Sequence, residues 1–219
     1  MMIRVNFQNS LEDLQKDLLR MGSLVEDMIT DAITALSKQN QILARSVIDR
    51  DDKVDALDLA IEDKCMKLIA TQQPMGKDLR TIGTAFNIIK SLERMADLAV
   101  DIAKTVIRIG NEPLIKPLID IPRMAELSKE MVRKVLDSYV KQDVSLIMNI
   151  AADDDQVDEL HNQIFRELLL IMMENPKTIT QATHLLFISR FLERIADYAT
   201  NIGESVVFLV TGERKDLNP

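Results

Sequence analysis

Tryptophan is absent from the 219 residues, aromatics of all kinds make up 4%, and glycine and proline number only six each. Ala, Leu, Ile, Met, Glu, Lys and Arg fill the space they leave, and these residues favour helix. A single cysteine, Cys65, excludes an intrachain disulfide. It falls within a helical apolar stripe, where a cysteine acts as a small buried hydrophobe. Basic residues are in deficit, 27 Lys and Arg against 35 Asp and Glu, for a net charge of −8 and a pI near 4.9. Neutralising nucleic-acid phosphates needs a basic surface, and an anionic membrane needs a polybasic run. Both partners are therefore set aside. Long apolar runs are missing too. The longest, Leu168–Met173, is far short of a membrane span. The opening MMIRVNFQNS has no apolar signal-peptide core. These features predict a cytoplasmic protein that reaches a membrane only through partners.

Periodicity supplies the architecture. Leu11, Leu14, Leu18, Met21, Val25, Met28, Ala32 and Ala35 alternate spacings of three and four, the seam of a long helix ending near Gln39. Ser10 with Asp13 predicts a capping box at its start, with Phe7 just outside. A second helix is predicted from about Ile42 to Thr71, with Val54, Leu57, Ile61, Cys65 and Leu68 inward. Pro74 and Gly76 end it. A third, from about Asp78 to Ile109, carries Ile88, Leu92, Met95, Ala99, Ile102 and Val106 on one stripe. The segment NEPLIKPLIDIP follows, and its three prolines mark a linker.

The pattern then restarts. Met21, Leu24 and Met28 recur as Met124, Leu127 and Met131; Asp51 and Asp55 recur as Asp154 and Asp158. After the second helix the offset between copies drops from 103 to 100, because the turn is shorter. LERMAD at Leu92–Asp97 thus returns as LERIAD at Leu192–Asp197. This duplication predicts an all-α fold of two tandem antiparallel three-helix bundles, six helices in all. The first bundle spans 1–110, the proline-rich linker 111–121 and the second bundle 122–219.

The repeated motifs carry the chemistry. Helix two of each copy bears an acidic pair, Asp51/Asp55 and Asp154/Asp158; helix three bears Glu93/Asp97 and Glu193/Asp197. Carboxylates four apart on a helix repel each other. In an antiparallel hairpin, residues equidistant from the turn share a height. The midpoint of Asp51 and Asp97, and of Asp55 and Glu93, is Pro74. In the second copy both midpoints fall between Asn175 and Pro176. Four carboxylates at one level suit a hard or borderline cation such as Mg²⁺, Mn²⁺, Ca²⁺ or ferric iron. Asp101, Asn201 and His161, one turn beyond Asp158, are secondary candidates. A solvated face is the alternative, since Lys90, Arg94, Lys104 and Arg108 share the side of Glu93 and Asp97 and could pair with them. His184 reads as structural. The sequence contains no Glu-x-x-His pairs, Gly-rich phosphate loop, GxSxG or paired-cysteine zinc spacing. No basic anion cradle is visible either.

These motifs resemble the PhoU family, regulators of phosphate transport. The resemblance covers essentially the whole chain. It rests on Met21–Ala32, Asp51–Asp55, Gln73-Pro74 with Asp78-Leu79-Arg80, and LERMAD in the first copy. In the second it rests on Asp154–Asp158, LERIADYATNIGESV and Thr211-Gly212-Glu213. It implies two three-helix bundles, a dimer or higher oligomer, and repression of the phosphate-starvation response. It also implies an adaptor between the ATPase subunit of the phosphate ABC transporter and a sensor histidine kinase. Multinuclear iron or zinc bound through the E/DxxxD motifs is a further implication, carried here by the eight acids above. The family often has glycine before the motif aspartate and histidine after it; this chain has Ala96 and Ala196, then Leu98 and Tyr198. No catalytic residue is assigned, and the protein is not expected to be an enzyme. The alternatives are a metal-independent helical adaptor and a carboxylate-bridged metal hydrolase or oxidase.

Overall fold

The computed structural model describes residues 2–217. Among them every regular element is helical: α1 (Met2–Lys38), α2 (Gln41–Ile48), α3 (Asp51–Gln72) and α4 (Lys77–Ile109), then α5 (Asp120–Lys141), α6 (Ile150–Glu174) and α7 (Ile179–Thr211). Short 3₁₀ turns occupy Val144–Ile147 and Pro176–Thr178. Helices α1, α3 and α4 form one antiparallel bundle and α5, α6 and α7 the other. Every seam residue of the first helix is buried, as is the whole Ile88–Val106 stripe. Each such side chain removed from water contributes roughly 1.5–3 kcal/mol before entropy is charged against it.

Two helix boundaries differ from the sequence reading. Helix α1 begins at Met2 and runs through Ser10, so Ser10 is a helix-interior residue and no capping box forms there. The predicted second helix is interrupted at Asp49–Arg50, which divides α2 from α3. Neither glycine nor proline marks the break. Arg50 accounts for it: its Nε donates to Ser46 O at 3.2 Å and its guanidinium pairs with Asp31 on α1. Asp51 and Asp52 then open α3, where carboxylates suit the positive end of the helix dipole. In the second copy the Val144–Ile147 turn stands in the place of α2, and α6 runs unbroken through Ala152 and Asp153, the equivalents of Asp49 and Arg50.

The proline-rich segment lies against the second bundle. Ile115 N donates to Gln181 Oε1 at 2.7 Å, Gln181 Nε2 donates to Pro113 O at 3.1 Å, and Lys116 pairs with Glu167.

The two bundles join chiefly along α4 and α7, with α1 against α5 as a second seam. At that second seam an added Cβ on Gly22 would meet Leu136 Cδ1 at 2.3 Å, so glycine permits the close approach. The α4–α7 pair is antiparallel. Arg80 Nε donates to Leu209 O and Thr84 Oγ1 to Ser205 O, both at 3.3 Å. Carried along the pair, this register sets Asp97 near Leu192 and Glu93 near Ala196. The acidic motifs of both copies therefore share one level of the molecule.

Candidate functional site

Asp51 opens α3 and Asp55 follows one turn later; Glu93 and Asp97 lie midway along α4. Asp51 interacts electrostatically with Asp97, and Glu93 with Asp55, the pairs that the turn midpoint implies. Asp51 is raised above the usual carboxylate range, first by burial, then by Asp55 and Asp97, against an opposing Lys104. Glu93 is raised by burial and by Asp97, with Asp58 and Asp55 adding to the effect and Arg94 opposing it. Arg94 bridges Asp97 at 3.0 Å and Glu93 at 3.4 Å. Asp101 sits further along α4, with Lys104 at 3.8 Å.

Sequence reasoning missed Asp58. It is buried, its Oδ2 accepts from Lys90 Nζ at 2.7 Å, and its Oδ1 has no hydrogen-bond partner. Lys90 also holds Glu62 at 2.8 Å. The 103-residue offset that aligns Asp55 with Asp158 aligns Asp58 with His161, so laying the copies side by side would have found it.

The second stack is deeper at Asp154 and Glu193, while Asp197 is exposed. Asp154 is 1% exposed and Glu193 9%. Burial pushes Glu193 up to about 7, and Asp197, Asp158 and Asp154 push in the same direction while Arg190 opposes them. Arg190 pairs with Oε1 of Glu193; Oε2 is buried without a hydrogen-bond partner. Asp197 is raised by lost hydration and by Asp158, against Arg190 and Arg194. Asn201 is exposed on α7.

His161 closes the stack at its Arg190 end. Its Nδ1 lies 3.0 Å from Ser189 Oγ, whose own proton is donated to Leu186 O at 2.8 Å. Nδ1 must therefore be the donor, which leaves Nε2 with a lone pair. Burial and Arg190 hold the ring below its ordinary pKa, against Asp158, so it is neutral at pH 7.

This geometry does not describe a freely solvated face, least of all at Glu193. Neither is it a closed chelate: among the described residues no three His, Cys, Asp or Glu side chains are gathered to hold one ion. No described helix is long and apolar enough to cross a membrane.

A duplicated three-helix bundle, with one acidic stack per copy at a common level, defines the class of protein. The PhoU domain model matches it twice, at residues 18–106 and 121–206. The chain belongs to the PhoU family. A phosphate-specific transport system accessory protein PhoU homolog from Clostridium acetobutylicum is 42% identical over 218 residues, covering 99% of this chain and 100% of that protein. One from Aquifex aeolicus is 42% identical over 203 residues, covering 93% and 92%. The crystal structure of PhoU from Pseudomonas aeruginosa superposes with a TM-score of 0.90 at 33% identity, covering 94% of this chain and 100% of that one. That of the phosphate transport system regulatory protein PhoU from Streptococcus pneumoniae gives 0.89 at 31%, covering 96% and 99%.

Proposed function

We propose that this chain is a regulatory accessory protein of phosphate transport, a non-enzymatic adaptor in the cytoplasm. It links the ATPase subunit of a phosphate ABC transporter to a phosphate-regulon sensor histidine kinase, and it works as a homodimer or higher oligomer. End-to-end likeness to transport accessory proteins supports the role. The long outer faces of the helices suit bundle or helix-in-groove contacts with protein partners.

The acidic stacks are the cation sites of this reading. The observation that carries it is Glu193: a buried carboxylate with one orphaned oxygen, among three further carboxylates. The donor set fits a cation. Asp154, Asp158, Glu193 and Asp197 would hold it in the second copy, with the Nε2 lone pair of His161 beside them. Asp51, Asp55, Glu93 and Asp97 would do so in the first. Small side-chain rotations would have to close either set. Oxygen donors with an imidazole nearby admit iron, zinc, manganese or magnesium. The ion would supply positive charge that cancels carboxylate repulsion and ties α6 to α7, or α3 to α4. The residues themselves bind and orient it.

Elemental analysis of untagged protein, purified without chelators, tests the metal. The comparison is a Glu93→Gln/Asp97→Asn/Glu193→Gln/Asp197→Asn variant that stays helical by circular dichroism. Stoichiometric metal in the wild type and none in the variant is expected. A wild type that stays empty after incubation with iron, zinc, manganese and magnesium would favour the metal-independent adaptor. Deletion of the gene should leave phosphate-starvation genes constitutively on; an unchanged reporter response would refute the regulatory role.

A further inference from the structure

A second site lies away from the acids, where the first turns of α4 meet the last turns of α7. A groove of about 450 Å³ opens there, within the range of small-molecule sites. Its apolar surface comes from Leu79, Phe208 and the bare backbone of Gly83, around which an added Cβ would meet nothing within 4 Å. Its charge comes from Arg80, Arg214 and Lys215. Arg80 is anchored through Nε to Leu209 O, so the rest of its guanidinium stays available. Arg214 is carried over the Phe208 ring, its Cζ 5.5 Å from the centroid. Glu204, the one carboxylate of the lining, has an oxygen occupied by Leu217 N–H at 3.0 Å.

The duplication provides an internal control. The α4–α7 pair has an equivalent opposite end, with Lys104, Thr105 and Arg108 where Glu204, Ser205 and Phe208 stand. There Thr183, His184 and Phe187 replace Gly83, Thr84 and Asn87, and Phe187 stacks on Phe191 with centroids 6.3 Å apart. One end of the interface thus carries bulk where the other carries a bare backbone. Three cations against one carboxylate leave two positive charges in the open groove, which match a phosphoryl dianion better than a lone carboxylate. Guanidinium groups present paired N–H donors to that group.

We propose that this groove binds a small organic phosphate, its phosphoryl group held by Arg80, Arg214 and Lys215 and its apolar body laid on Leu79, Gly83 and Phe208. The site is independent of the acidic stacks and needs no metal. Its cations come from residue 80 and from the C-terminal segment, so no single stretch of sequence displays an anion cradle.

Isothermal titration of the full chain with AMP, phenyl phosphate, adenosine and inorganic phosphate tests this in the presence of a chelator. AMP or phenyl phosphate should bind with a Kd of about 1 mM or tighter, weakening as salt is added. Adenosine and inorganic phosphate, each carrying half of the recognised chemistry, should bind at least about 10-fold more weakly. Gly83→Leu fills the floor at a position with room for it, and Arg214→Glu reverses one charge on an exposed tail. Each should weaken binding by about 10-fold or more, the result of losing one charged or packed contact. Unchanged thermal melts would show that both variants are folded. Failure of both organic phosphates to bind the wild type, binding unaltered in both variants, or inorganic phosphate binding as tightly as AMP would each overturn the proposal.

Discussion

Replacing Glu193 by glutamine should stabilise the metal-free protein, and by more at pH 8 than at pH 5. Glu193 is 9% exposed and its pKa is pushed from 4.5 to about 7, chiefly by burial. The folded protein therefore holds this proton more tightly than the unfolded chain does. The stabilisation is complete below about pH 4.5, shrinks as pH rises and is gone above about pH 7. A shift of that size corresponds to roughly 3 kcal/mol. Glutamine is isosteric, keeps an acceptor for Arg190 and carries no charge. The gap between variant and wild type should widen by about 2.5 kcal/mol from pH 5 to pH 8, since part of the effect is already lost at pH 5. Asp197, raised by Asp158 and by lost hydration, titrates in the same direction in both proteins and largely cancels in the difference. The assay is urea unfolding of both proteins at both pH values with EDTA present. Parallel stability profiles, or a variant less stable than wild type at pH 8, would refute the reasoning. On the proposed cation reading, replacing EDTA by iron, zinc, manganese or magnesium should narrow the gap, because a cation at Glu193 would stabilise the wild type selectively.

Three further outcomes are expected. Gly22→Ala should lower stability by about 1 kcal/mol, because overpacking against Leu136 outweighs the gain in helix propensity. In a Leu136→Ala background the same change should become stabilising, and a double-mutant cycle by urea unfolding reads the coupling. Gln142 ends α5 in the left-handed region at φ +52°, so Gln142→Gly should raise stability by roughly 0.5–1 kcal/mol in the same assay. The Cys65 thiol is buried and pushed up to about 12. A disulfide reagent at pH 8 should label it only as fast as the protein opens, and rapid labelling of the native state would contradict its placement.

The long seams were legible because apolar spacing is a direct image of a buried helix face, and Leu14, Met21, Leu92 and Val106 are all buried as read. The break before Asp51 was not legible, because a side chain makes it: Arg50 reaches back to Ser46 and across to Asp31. Ser10 with Asp13 has the form of a cap, but a cap signal has no force where the chain before it is already helical. In the first copy the turn position alone pairs Asp51 with Asp97 and Asp55 with Glu93, the acids that interact there. Their burial did not follow, since a helical wheel sets Glu93 and Glu193 at the same angle whatever packs beside them. Asp58 was legible only through the offset that pairs it with His161, and its contact with Lys90 was not, because it joins two helices. The groove was not legible for the same reason: Arg80 on α4 meets Arg214 of the segment after α7, and no local spacing encodes that meeting.

The two copies set the same four carboxylates in different surroundings, and the difference bears on what the acids are for. In the first copy Arg94 bridges Glu93 and Asp97 and Lys104 opposes the charge on Asp51, while Lys90 and Lys104 pair directly with Asp58 and Asp101 beside the stack. In the second, Phe208 stands where Arg108 stood and Glu204 where Lys104 stood, and Arg190 is left as the chief counter-charge to Glu193 and Asp197. Deeper burial with fewer counter-charges is the costlier arrangement for an ionised carboxylate. A mobile cation offsets that cost most where the protein's own cations do least. On the proposed reading of the stacks as cation sites, the second should therefore be the tighter of the two. On that reading, stepwise removal of metal by a chelator should empty the first copy's stack before the second, with Glu93→Gln/Asp97→Asn and Glu193→Gln/Asp197→Asn variants assigning each step; the reverse order would refute the argument from burial and counter-charge together.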